Sequence, residues 1–129
     1  MQAAYVFSVA FSVPAEDATL TPNRFETTLR LHAPEPGEET DHIDWRFFQT
    51  RLWNGRVSDE GPLRRAASEW LDVEVEQIEF KELRTDQEYR EALTDAVADD
   101  LPRFNAESAD EAIGQHLGSS MHVVPTDEV

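Results

Sequence analysis

The side chains best suited to chemistry in this sequence lie close together. Between Trp45 and Ala67 stand Arg46, Arg51, Arg56, Arg64 and Arg65, half of the chain's ten arginines, with only Asp59 and Glu60 as acids. Five guanidiniums against two carboxylates give a net charge of +3 in a chain whose total is −16. Trp45, Phe47, Phe48 and Trp53 are interleaved with them. A guanidinium binds carboxylate or phosphate through two parallel hydrogen bonds, and an aromatic ring supplies a large apolar anchor beside it. Arg46, Arg51, Trp53, Arg56, Arg64 and Arg65 are therefore the candidate partner- or anion-binding residues. The competing reading buries the aromatics in a core and pairs the arginines with neighbouring acids such as Glu60 and Glu69.

Other chemistry finds less support. His32, His42, His116 and His122 are scattered, with no HxH or HExxH spacing. His42 and Asp44 could share a cation, but zinc needs three or four converging ligands, so no metal site is assigned. Gly118-Ser119-Ser120-Met121-His122 sets hydroxyls near an imidazole without the GxSxG elbow of a serine hydrolase, and Gly118 is better read as a helix stop. No GxGxxG or Walker A sequence occurs, and Lys81, the only lysine, stands between Glu79 and Glu82 rather than after glycines. No catalytic residue and no cofactor is assigned.

Charge dominates the composition. Asp and Glu number 27 against 11 basic residues. Such a surface repels itself at ordinary ionic strength. At molar salt the Debye length falls to ~3 Å, and the carboxylates instead hold water and hydrated cations. Arginine in place of lysine fits the same pressure, because guanidinium is weakly hydrated and pairs bidentately. The composition therefore predicts a salt-adapted protein. It also disfavours nucleic acid as a partner, since counterion-release affinity fades at high salt. Without cysteine there is neither a disulfide framework nor thiol chemistry. The apolar start, Ala3 to Val13, has no preceding positive residue and alternates bulky with small, so it reads as a strand and not as a signal peptide. No stretch approaches the ~20 apolar residues of a membrane span. A cytoplasmic location is expected.

The elements that must position the arginines follow from periodicity. Tyr5, Phe7, Val9, Phe11 and Val13 alternate with Val6, Ser8, Ala10 and Ser12, a strand with one bulky and one small face. After a turn over Pro14 to Pro22, Phe25, Thr27, Leu29 and Leu31 form a second strand with a wet face, paired to the first as a hairpin. Residues 33–42 read as a mobile acidic, proline-containing loop. Trp45, Phe48 and Leu52 suggest a short helix stopping at Asn54-Gly55, and Ser58-Asp59-Glu60 opens a second helix with the stripe Leu63, Ala66, Ala67, Trp70 and Leu71. A strand over Gln77 to Leu83 follows, with a phase slip near Gln77. Capping boxes at Thr85–Glu88 and Ser108–Glu111 open two more helices, the first ended by Pro102. Met121 to Val124 supplies a last strand before a polar tail at 125–129. The expectation is one α+β domain over 1–129: a mostly antiparallel four-stranded sheet with helices on one face, in the order β-β-α-α-β-α-α-β.

Trp45-Arg46-Phe47-Phe48, Arg51-Leu52-Trp53-Asn54-Gly55-Arg56-Val57, Leu63-Arg64-Arg65, Glu69-Trp70-Leu71 and Glu79-Phe80-Lys81-Glu82-Leu83 together resemble the haloarchaeal LWR-salt family over nearly the whole chain. Asn54 stands where an arginine would follow Leu52-Trp53. The resemblance implies a haloarchaeal origin and a single domain, and implies no activity. Two functional expectations follow from the residues. The first is a non-enzymatic interaction or accessory module that uses the arginine/aromatic segment 45–67 to contact an unknown protein partner or its own copy. The alternative is a small enzyme or small-ligand binder with a pocket between sheet and helices.

Overall fold

A computed structural model describes residues 1–13, 24–40 and 43–129. The expected turn between the first strands, residues 14–22, lies outside the described residues, as does His42. Strand β1 (Ala3–Ser12) pairs antiparallel with β2 (Arg24–His32) on one side and with β5 (Glu74–Thr85) on the other. The short β6 (Met121–Val123) runs parallel to β5, giving the order β2-β1-β5-β6. The sheet is therefore mixed: two of its pairings are antiparallel and the last is parallel. The physical reason lies in the connection. Helices α3 (Gln87–Ala98), α4 (Leu101–Phe104) and α5 (Ala109–Leu117) intervene between β5 and β6, and a crossover of that length returns the chain in the same direction.

The alternation in β1 decides where the core lies. Tyr5, Phe7 and Val9 are buried and share one cluster with Leu29 and Leu31 of β2, Ile78, Phe80 and Leu83 of β5, and the apolar positions of the helices. Ala4, Val6, Ser8, Ala10 and Ser12 point the other way, outside that cluster. Thr28 and Arg30 of β2 and Glu79 and Glu82 of β5 stand beside them in register. The phase slip near Gln77 is a β-bulge. Ala10 pairs with Gln77 and Phe11 with Val75, leaving Glu76 as the inserted residue, and a second bulge at Lys81 lets β5 reach both Val75 and Leu83 without losing its buried face.

Several local expectations shift by a physical cause. Asn54-Gly55 does not end a helix. Helix α1 (Phe47–Arg51) stops earlier, and Asn54 and Gly55, at φ 51° and 76°, form the two-residue turn of a hairpin between β3 (Leu52–Trp53) and β4 (Arg56–Val57). Asn-Gly is the pair that tolerates positive φ at both turn positions. Helix α2 (Glu60–Leu71) then starts after Asp59, whose carboxylate accepts from the Gly61 N–H. At α3 the cap is Asp86, one residue later than the capping box implied, because Thr85 is still held in β5. Pro102 opens α4 instead of ending α3 alone, consistent with its tolerance in a first helical turn. Ser108 caps α5 as expected, accepting from the Glu111 N–H. The element order therefore gains the β3–β4 hairpin, α4 and a closing 3₁₀ turn (Thr126–Glu128) over the expected β-β-α-α-β-α-α-β.

The described part of the expected loop and the polar tail carry specific contacts. Within 33–40, Pro34 accepts a hydrogen bond from the buried Tyr89 hydroxyl (2.8 Å), and Glu39 forms a bridge with Asp44. In the tail, the Thr126 hydroxyl donates to Asp86 and Arg84 donates to the Glu128 carbonyl.

Candidate functional site

The segment 45–67 forms an arm of α1, the β3–β4 hairpin and the first half of α2. Its inner side is core: Phe47, Phe48, Leu52, Leu63 and Ala67 are buried. Phe48 stacks on Phe104 with ring centroids 5.8 Å apart, and Trp45 tilts against the same ring. Trp53 is different. It is 56% exposed, the most exposed of the large apolar side chains among the described residues.

The hairpin holds Trp53 out by docking on the end of α5. The Asn54 N–H donates to the Gln115 carbonyl (2.7 Å) and the Gly55 N–H to that of His116 (2.9 Å). Carbonyls at a helix C-terminus have no partner within the helix, so the turn satisfies groups that would otherwise need water. In return the buried His116 places Nδ1 2.8 Å from the Leu52 carbonyl, and its ring meets Trp53 edge-on at 5.3 Å. Gly55 is required twice over. Its φ is positive, and a Cβ there would lie 3.1 Å from the Leu117 carbonyl oxygen and from Ser120 Oγ. Nothing in the sequence pattern flagged His116 as the clamp of this hairpin, because the contact joins residues 64 positions apart.

The arginines are neither buried in ion pairs nor gathered in one pocket. Among the described residues, Arg24, Lys81, Arg84 and Arg103 lie within 4.0 Å of a carboxylate, whereas none of Arg46, Arg51, Arg56, Arg64 and Arg65 does, nor do Arg30 and Arg90 outside the arm. The expected pairing with Glu60 or Glu69 is thus not formed. Arg46 sits with its guanidinium carbon 6.0 Å from the Trp45 ring, a cation–π contact, at the edge of a shallow hollow of about 450 Å³ shared with Glu38 and Glu39. Half-buried Arg51 lines a cleft of about 180 Å³ between α1 and α2, with Phe47, Pro62, Ala66 and Trp70. Arg56 lines another of about 310 Å³ between hairpin and β5, with Glu60, Glu79 and Phe80. Arg64 donates to the Glu76 carbonyl (3.2 Å), and Arg65 is exposed on the outer face of α2. The six candidates therefore share one arm, but Arg46, Arg51 and Arg56 each line a different hollow, and Trp53, Arg64 and Arg65 line none of the three. The arrangement can meet an extended acidic surface at several points. It does not enclose a small anion.

The histidines among the described residues do not converge. His32 is exposed, His116 is committed to the hairpin, and His122 approaches Glu82 at 3.4 Å. Among the described residues no three His, Asp or Glu side chains come together as metal ligands would. Among the described residues no histidine lines the cleft at Arg51 or the one at Arg56. Also among the described residues, no helix is long and apolar enough to cross a membrane.

Apart from the arm, one buried carboxylate organises the sheet end. Asp86 accepts from the Gln2 N–H (2.9 Å), the Tyr89 N–H (2.8 Å) and the Thr126 hydroxyl (3.0 Å), with the Met1 ammonium 3.6 Å away. Burial alone raises its pKa, but these donors and the nearby positive charge outweigh it and hold the carboxyl below its ordinary value. Tyr5 and Tyr89, both buried, have hydroxyls pushed well above the ordinary tyrosine range by desolvation, so both remain neutral.

Fold and arm together define a small α+β protein with a four-stranded mixed sheet, helices on its bulky face, and an arginine-bearing hairpin arm. The chain belongs to the LWR-salt protein family, whose model matches residues 1–127. The matched range includes the whole arm, in which Asn54 supplies the positive φ of the turn. No curated protein and no solved structure matches the chain.

Proposed function

We propose that this chain is a non-enzymatic interaction module whose arm, residues 45–67, binds an acidic protein surface in a salt-rich cytoplasm. One observation carries the reading: the five guanidiniums of the arm have no carboxylate within 4.0 Å among the described residues, in a chain with 27 acids. A cation left unpaired amid such an excess of anions retains its bidentate capacity for an outside carboxylate. The exposed Trp53 supplies the apolar anchor beside them, and arginine with tryptophan is the pairing that concentrates binding energy at protein interfaces. Dispersion of Arg46, Arg51 and Arg56 over three hollows, with Arg64 and Arg65 outside them, favours a macromolecular partner over a small anion. At molar KCl only close, partly desolvated contacts retain value, and a ring with flanking guanidiniums provides them.

The test is capture from a lysate held at molar KCl, comparing the wild type with Arg51→Glu/Arg56→Glu and with Trp53→Ala, each checked for a native far-UV spectrum. A partner held by the wild type and lost, by at least tenfold, from both variants is the expected result. Equal recovery of the same proteins by all three chains would refute the reading.

A further inference from the structure

We infer that β2 is the interface of a two-fold dimer in which two copies join edge to edge through Arg24–His32, making one continuous eight-stranded sheet. This inference does not rest on the arm.

Strand β2 is the outer strand of the sheet. It runs nine residues in unbroken register with β1, without proline, lysine or bulge, the features that usually protect an edge from pairing. Its outward backbone groups can be assigned. The Ala33 N–H donates to the Ala3 carbonyl, and the Asp86 N–H donates to that of Gln2. Odd residues of β1 therefore direct their backbone groups toward β2, and even residues direct theirs toward β5. Opposite the odd residues of β1 lie Phe25, Thr27, Leu29 and Leu31, so Arg24, Glu26, Thr28, Arg30 and His32 turn their N–H and C=O groups to the free edge. Among the described residues none of these outward groups has a partner.

The side chains select one register for a second copy. With the two-fold axis at Thr28, antiparallel pairing sets Glu26 opposite Arg30 of the other chain, twice by symmetry, and Arg24 opposite His32. Every one of these residues presents outward backbone groups, so each facing pair can exchange two hydrogen bonds. On the helix side, Phe25 falls opposite Leu31. Phe25 is 48% exposed in the single chain, and this partner would cover it. Neither Glu26 nor Arg30 makes an ion pair within its own chain among the described residues, so both are available across the axis. Other centres fail. An axis at Thr27 opposes Arg24 to Arg30, axes at Glu26 or Arg30 oppose like charges to themselves, and one at Leu29 leaves Arg30 facing Thr28.

The absence of cysteine makes the register directly testable. In the dimer the two Thr28 residues are a hydrogen-bonded pair with Cα atoms about 5.5 Å apart, within disulfide range. Two residues at position 26 are offset by four places along the strands, beyond that range. Thr28→Cys and Glu26→Cys are each oxidised with copper–phenanthroline at a KCl concentration that preserves the native far-UV spectrum. The expected outcome is a linked dimer from Thr28→Cys and none from Glu26→Cys. Sedimentation of the wild type should give twice the 14.7 kDa chain mass. The single reversals Glu26→Arg and Arg30→Glu should each sediment as monomers, and their equimolar mixture should recover the dimer. The arm variant Arg51→Glu/Arg56→Glu should dimerise like the wild type. A wild type that is monomeric at about 1 mM, or equal linking from both cysteine variants, would overturn the proposal.

Discussion

Gly55→Ala would test whether the hairpin turn is what holds Trp53 and Arg56 in place. At φ 76° an alanine pays the left-handed penalty, about 1–2 kcal/mol. Its Cβ would also lie 3.1 Å from the Leu117 carbonyl oxygen, a backbone atom that cannot swing aside, and equally close to Ser120 Oγ. Relief requires the turn to lift from α5 by a few tenths of an ångström. That lift stretches the bonds from Asn54 and Gly55 to the Gln115 and His116 carbonyls, and a net hydrogen bond contributes about 1 kcal/mol. The combined cost is about 2–4 kcal/mol, and at roughly 3 °C per kcal/mol for a chain of this length the midpoint falls by about 6–12 °C.

Thermal denaturation followed by circular dichroism at molar KCl reads the midpoint, and tryptophan emission reports the loosening of Trp53 from His116. Asn54→Gly is the matched control. It keeps a residue that accepts positive φ, so its midpoint should move by less than about 3 °C, a cost of about 1 kcal/mol. Partner capture by Gly55→Ala should weaken even below its midpoint, because Trp53 and Arg56 flank the turn. A Gly55→Ala midpoint within about 2 °C of wild type, or a control equally damaged, would show that the turn's geometry does not anchor the arm.

Two further outcomes follow from charge. The Asp86 carboxyl has a lowered folded-state pKa, so its stabilising contribution is present above the unfolded value, near pH 4, and is lost as pH falls through the folded value. Asp86→Asn retains an acceptor for the Tyr89 N–H but turns an amide toward the Gln2 N–H, so it should cost about 1–3 kcal/mol at pH 7. The difference from wild type should narrow on acidification toward pH 3 in urea titrations, and a constant difference would contradict this assignment. For the acidic surface, lowering KCl from molar to 0.1 M extends the screening length from ~3 to ~10 Å. Near-UV and far-UV spectra should then show loss of the fold, whereas cooperative unfolding retained at low salt would refute salt adaptation.

Which features were legible in the sequence depended on whether a local rule acted alone. Of the period-two face, Tyr5, Phe7 and Val9 meet the core as the alternation required, while Phe11 is partly buried and Val13, beyond the end of β1, is exposed; Ser108 caps α5 because its capping box lies wholly within one turn. The slip near Gln77 was visible, but its meaning as a bulge needed the β1 register, which no local pattern contains. Asn54-Gly55 fits a helix stop and a hairpin turn equally well, since both use positive φ. Docking on the carbonyls of α5, sixty residues downstream, selects the hairpin. Thr85 and Asp86 compete for one cap, and Thr85 loses because it pairs with Val123 in the sheet. The arginine arm obeys the same division. Its composition marked it, while the lack of any described carboxylate within 4.0 Å of its guanidiniums is a property of the tertiary arrangement. Glu26 and Arg30 show the limit most clearly. In the sequence they are two of many charges on a wet strand face, and only the position of β2 at the sheet edge makes their spacing about Thr28 self-complementary.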